Sequence, residues 1–94
     1  MLYPVMTMAD GTDMVYSDIF HKPNDPTDYI KVSYERVNAS GDDFDSMSCV
    51  LPNGRMQDVV GFSAGEVQKE EKRLHKVADI LIRSAKEKSH ANRI

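Results

Sequence analysis

Apolar and polar residues alternate along two stretches of the chain, residues 29–37 and 44–51. The alternate apolar positions are Ile30, Val32 and Tyr34 in the first stretch and Met47, Cys49 and Leu51 in the second. Alternation with a period of two is typical of a β-strand that has one buried and one solvated face. The pattern therefore predicts a strand over each stretch.

Two further strands are predicted over residues 3–8 and 12–20, which are rich in β-branched, aromatic and methionine side chains. Between them stand Asp10 and Gly11. This dipeptide favours a tight hairpin turn, because glycine accepts the positive φ that such a turn requires. The two strands are therefore expected to pair as an antiparallel hairpin.

Three segments between the predicted strands carry turn and loop residues. Residues 21–28 contain two prolines, which remove backbone donors and forbid a continuing strand. Residues 38–43 and 52–55 are rich in Asn, Asp, Gly and Ser or Pro, as turns are. Residues 56–61 remain open between a short fifth strand and an irregular connector.

The last third of the chain has helical periodicity and a well-defined start. Ser63 and Glu66 have the spacing of a capping box, in which each side chain bonds the other residue's backbone N–H. Phe62 and Val67 have the spacing of the hydrophobic staple that accompanies it. The helix is predicted over residues 64–88, a length of about 37 Å.

These elements predict an α+β fold: an antiparallel four-stranded meander, with a fifth strand left open, followed by one long C-terminal helix on one face of the sheet. The chain of 94 residues suits a single domain, placed over residues 1–88, with residues 89–94 as a frayed tail. Which sheet face the helix covers does not follow from the pattern.

Two features point to a protein partner or to self-association as a homodimer. Strands of six to nine residues span about 20–30 Å, so a helix of about 37 Å should extend beyond the sheet. Both faces of the first two strands also look apolar, and one helix covers only one face. The alternative is that flexible methionines fill gaps in a small core. The candidate partner-binding residues are Met6, Met8, Met14, Tyr16, Leu81 and Ile82.

Charge distribution raises a second hypothesis, a nucleic-acid-binding accessory or regulatory protein that uses the basic helix. Residues 1–65 hold ten acidic and four basic side chains, whereas residues 66–94 hold five acidic and eight basic ones. The simpler interpretation is that acidic residues near the helix start and basic residues near its end complement the helix dipole. The nucleic-acid candidates are Lys72, Arg73, Lys76, Arg83 and Lys86.

Motifs of catalysis, cofactor binding and metal binding are not found in the sequence, so a non-enzymatic protein without cofactor is expected. The acidic segments 10–13 and 42–45 lack the spacing of a calcium loop and are interpreted as turns. The single Cys49 is predicted to point into the core. One cysteine, no apolar run long enough for a membrane span and no signal-peptide pattern indicate a cytoplasmic protein.

Overall fold

The fold is one β-sheet with a long helix packed on one of its faces. The computed structural model describes residues 1–52 and 54–91. The strands are β1 (Leu2–Thr7), β2 (Asp13–Ser17), β3 (Ile30–Val37), β4 (Phe44–Leu51) and β5 (Gln57–Val60), and the helix is α1 (Ala64–Ala91). All neighbouring strands pair antiparallel in the order β1-β2-β3-β4-β5. The predicted α+β class is confirmed. Residues 56–61, for which the sequence pattern allowed a strand or a connector, contain the fifth strand.

Two boundaries differ by three residues from those predicted, and the other predicted strand and helix boundaries agree within one residue. β2 ends at Ser17, three residues early, because the Ser17 Oγ accepts the Lys31 N–H at 2.9 Å and so replaces a backbone bond of the ladder. Beyond this point only an isolated bridge joins Phe20 to Tyr29. At the other end, α1 continues to Ala91, so the predicted frayed tail begins as helix. Residues 92–94 of that predicted tail lie outside the described residues.

Both predicted turn and cap signals form as expected. Gly11 adopts a φ of 88°, and the Met8 N–H donates to the Thr12 carbonyl at 2.8 Å to close the first hairpin. In the capping box, the Ser63 N–H donates to the Glu66 Oε1 at 2.9 Å. The Glu66 N–H in turn donates to the Ser63 Oγ at 3.1 Å. Local sequence alone therefore specifies where the first hairpin turns and where the helix starts.

The core lies between the sheet and the buried stripe of α1. The helix contributes Leu74, Ala78, Leu81 and Ala85, which follow a spacing of four, three and four residues. The strands contribute their alternate side chains: Tyr3, Met14, Tyr16, Ile30, Val32, Tyr34, Met47, Cys49 and Leu51. Cys49 is fully buried, as its place in the alternation predicted.

The expectation that the end of α1 would be uncovered is wrong for Leu81 and Ala85, which are 9% and 0% exposed. The Tyr16 hydroxyl reaches the Ser84 Oγ at 2.9 Å. The Lys88 ammonium lies 4.6 Å from the centre of the Tyr3 ring. Long tyrosine side chains of β1 and β2 therefore extend the core beneath the last turns of the helix.

Candidate interaction surface

Strand register divides the sheet into two faces, because cross-strand partners point to the same side. Val32 of β3 pairs with Tyr16 of β2 and Cys49 of β4, and all three are buried on the helix side. The next partners along, Val15, Ser33 and Ser48, therefore point to the opposite side. We call that side the open face, because no helix or strand among residues 1–52 and 54–91 packs over it.

Small side chains occupy the middle of the open face. Ser33 is half-buried and Ser48 is only 9% exposed, since neighbouring strands crowd short side chains. Val15 and Val50 on either side are also half-buried. No strongly exposed side chain projects from this centre, so another surface can approach it closely.

Large apolar side chains surround that centre and are strongly exposed. Register places Leu2 beside Ser17, Val37 beside Phe44, and Val60 beside Ser46, all on the open face. The exposed fractions are 62% for Leu2, 59% for Val37, 53% for Phe44 and 56% for Val60. Four large apolar side chains exposed on one side of a small domain mark a candidate docking surface.

Charged residues on the open face lie on β2 and β3. Lys31 and Glu35 stand four positions apart on β3, with Ser33 midway between them. Asp13 pairs with Glu35 across to β2, so negative charge concentrates at that end. Within the described residues, neither Lys31 nor Glu35 forms an ion pair.

On the helix side of the sheet, the Arg36 side chain lies between β4 and the start of α1 and is 17% exposed. Its Nε donates to the Asp45 Oδ2 at 2.9 Å, and its Nη1 donates to the Glu66 Oε2 at 2.7 Å. Its Nη2 donates to the Gly61 carbonyl at 3.2 Å, and the ring of Phe62 lies 4.1 Å from its central carbon. Arg36 therefore ties the sheet to the start of α1.

These contacts change the acid–base behaviour of both partners. The Arg36 bond, with the Ser63 N–H, lowers the pKa of Glu66 to about 2. The Glu66 and Asp45 carboxylates in turn raise the pKa of Arg36 above its ordinary value. Each group is thus held in its charged form, as a structural ion pair requires, and neither is poised to exchange a proton near neutral pH.

A buried tyrosine–carboxylate pair lies one helical turn further along. The Tyr34 hydroxyl donates to the Glu70 Oε1 at 3.1 Å, and Glu70 is 7% exposed. Burial, then the Glu70 charge, raises the pKa of Tyr34 above its ordinary value. The adjoining cavity has a volume of about 110 Å³, room for a few water molecules. No spacing in the sequence indicates this pair, because a charged residue on a helix, such as Glu70, is usually exposed.

The predicted partner-binding residues divide into buried and accessible groups. Met14, Tyr16 and Leu81 are buried in the core beneath α1. Met8 and Ile82 are half-buried against the same core. Met6 is 44% exposed at the sheet edge, where its sulfur accepts from the Arg73 Nη1 at 3.9 Å. None of the six lies on the open face.

The predicted nucleic-acid residues lie along α1, and two of the five are engaged by acidic side chains. Arg73 lies 3.6 Å from Glu70, and Lys86 lies 3.5 Å from Asp28 in the β2–β3 loop. Lys72, Lys76 and Arg83 are exposed on the outer side of the helix. Within the described residues, no helix combines the length and the apolar character of a membrane span.

The remaining chemically active side chains do not converge. His21 pairs with the Asp28 Oδ1 at 2.8 Å, while the His75 Nε2 contacts the Gly54 carbonyl at 3.0 Å. Burial, then the Glu71 charge, raises the pKa of Cys49 to about 11. Among the described residues, no group of three or more His, Cys, Asp and Glu side chains is arranged to hold a metal ion.

Sequence reasoning expected an uncovered sheet face but missed three of the side chains that make it apolar, Val37, Phe44 and Val60. The signal for Phe44 was present in the alternation of residues 44–51, where it falls on the side opposite Met47 and Cys49. Comparison with protein-family models, with curated proteins and with solved structures found no match, so what this chain does has to be inferred from its own surface.

Proposed function

We propose that this chain is a small non-enzymatic protein-interaction module whose docking surface is the open face of its sheet. One observation carries the proposal: Leu2, Val37, Phe44 and Val60 are all more than half exposed on that one face. Exposed apolar area costs free energy in water, and burial against a partner recovers it at roughly 25 cal/mol per Å².

The arrangement of side chains on the open face, and not only their apolar character, supports docking. Fully antiparallel sheets pack face to face at about 10 Å when the facing side chains are short or interdigitate. Here the short side chains of Ser33 and Ser48 occupy the centre of the open face, and the exposed apolar side chains lie towards its edges and one end. The free, buried Cys49 is in keeping with work in a reducing compartment such as the cytoplasm.

A dye that fluoresces on apolar surfaces tests the proposal. At low micromolar protein we expect the chain to bind such a dye and the double variant Val37→Ser/Phe44→Ser to bind much less. Ile80→Ser is the matched control, because Ile80 is 62% exposed but lies on the outer side of α1. Equal dye binding by all three proteins contradicts an apolar docking face.

A second candidate function, nucleic-acid binding, rests on Lys72, Lys76 and Arg83, which are exposed along α1. It has less support, because the helix carries no Phe, Tyr or Trp side chain on which a base can stack. It predicts binding of single- or double-stranded DNA that weakens steeply with salt and is lost in Lys72→Glu/Lys76→Glu. Lys22→Glu, away from the helix, is the control. No anisotropy change at tens of micromolar protein removes this candidate.

A further inference from the structure

We infer that the partner of the open face is a second copy of this chain, packed sheet against sheet with the two β3 strands antiparallel. The inference rests on the proposed function and adds to it the identity of the partner and its orientation. It is carried by the way charge and apolar surface are distributed about Ser33.

Charge on the open face of β3 is self-complementary. Lys31 and Glu35 lie about 13 Å apart on opposite sides of Ser33, at 3.3 Å per residue. A two-fold axis that crosses the strands at Ser33 sets Lys31 of each copy against Glu35 of the other. Asp13, the register partner of Glu35, adds a second carboxylate near the same lysine. A two-fold axis along β3 instead sets Lys31 against Lys31, which like-charge repulsion disfavours.

The same axis brings apolar ends together. Val37 and Phe44 are exposed at one end of the open face. At the other end Tyr29 lies on the side opposite the buried Ile30. Its ring stacks on Phe20 with centres 5.8 Å apart, and the Lys22 ammonium lies 4.5 Å from the centre of the same ring. The axis through Ser33 sets the first end of each copy near the second end of the other. Apolar surface is then covered at both ends of the interface.

The centre of the face permits close approach along that axis. Val15, Ser33 and Ser48 form the row that the axis follows, and none of them projects strongly because each is half-buried or buried. The five strands hold 31 residues, which at about 3.3 Å along and 4.8 Å across a strand cover roughly 500 Å² per copy. A total near 1,000 Å² is at the lower limit for specific interfaces, so the expected dimer is a weak one.

Charge reversal with rescue tests this inference by sedimentation equilibrium. The unaltered chain should approach twice its 10.6 kDa mass at high concentration. Lys31→Glu and Glu35→Lys should each weaken dimerisation by roughly 10- to 100-fold, because two attractive pairs become repulsive. An equimolar mixture of the two variants, and the double variant, should recover dimers. Lys76→Glu on the outer side of α1 should have no effect.

Recovery in the mixture also shows that both single variants fold. An unaltered chain that stays monomeric, or single variants that dimerise normally, or a mixture that does not recover, overturns self-pairing. If the chain is monomeric but the open face still binds apolar dye, a different protein occupies the docking surface and only the self-pairing fails. If dye binding is absent too, the proposed function fails with it.

Discussion

Arg36 and Glu66 form a two-point ion pair across the junction of sheet and helix, with Nη1 2.7 Å from Oε2 and Nη2 3.3 Å from Oε1. Glu66 is also the acidic member of the capping box, because its Oε1 accepts the Ser63 N–H. One carboxylate thus satisfies the helix start and fixes where that start sits on β3. Because the ion pair joins β3 to the first turn of α1, it helps to hold the helix on one face of the sheet and leaves the other face open.

Removal of this carboxylate should destabilise the fold. In Glu66→Ala, the cap bond is lost and Arg36, 17% exposed, loses its closest partner. Since Glu66 is itself 41% exposed, solvent screening moderates the loss, and we expect about 1–2 kcal/mol. Urea unfolding measures it. Glu87→Ala on the exposed side of α1 is the control, and an equal loss in both variants contradicts the structural role of Glu66.

Acid should weaken the fold through the same group. The folded-state pKa of Glu66, about 2, lies below its ordinary 4.5, so its contribution to stability is complete above pH 4.5. That contribution should disappear progressively as the pH falls from 4.5 to 2. The unfolding free energy of Glu66→Gln should therefore depend less on pH in this window than that of the unaltered chain. Identical slopes would show that Glu66 titrates normally.

The buried pair Tyr34 and Glu70 gives a sharper contrast. Tyr34→Phe leaves the buried Glu70 carboxylate without its hydroxyl donor, which should cost about 2 kcal/mol. Tyr16→Phe is the matched control, because its hydroxyl bonds the neutral Ser84 Oγ at 2.9 Å in a part-buried setting and should cost about 0.5–1 kcal/mol. Thermal or urea unfolding measures the loss of stability in each variant. A smaller loss for Tyr34→Phe than for Tyr16→Phe would contradict the burial of the Glu70 carboxylate against Tyr34.

Cys49 should be inert in the folded protein. It is fully buried, and its raised pKa of about 11 leaves almost no thiolate at pH 8. A thiol reagent should react at least about 100-fold faster once the chain is unfolded in guanidinium. Comparable rates in both states would place the thiol at the surface.

The sequence predicted local structure well because the responsible residues are near neighbours in the chain. Ser63 with Glu66 and Asp10 with Gly11 each act within four residues, and both devices form. Strict alternation likewise placed Cys49 in the core. Such signals need no knowledge of the tertiary arrangement.

Contacts between distant segments were not predictable in this way. Arg36 collects partners from the β1–β2 turn, β4, the β5–α1 junction and α1, so none of its bonds appears as a spacing. The helix end was expected to be uncovered because strand length alone was compared with helix length, without the reach of Tyr3 and Tyr16.

The predicted partner residues Met14 and Tyr16 are buried because the helix packs on their face of the sheet. Period-two alternation separates the two faces of a strand, but it does not say which face the helix takes. Met14 and Tyr16 were therefore equally able to be core or surface, and they are core. Val37 and Phe44 were not predicted as partner residues, because each stands at the end of its strand next to a turn.

In the proposed dimer, the open face of this chain meets the open face of a second copy. Amide chemical shifts of the isotopically labelled protein test it most directly, over a dilution from about 1 mM to about 10 µM in which a weak dimer dissociates. We expect the amide signals of Val15, Ser33 and Ser48 to shift together with dilution, while those of Lys72 and Lys76 on the outer side of α1 stay fixed. Shifts confined to α1, or spectra independent of concentration, would contradict it.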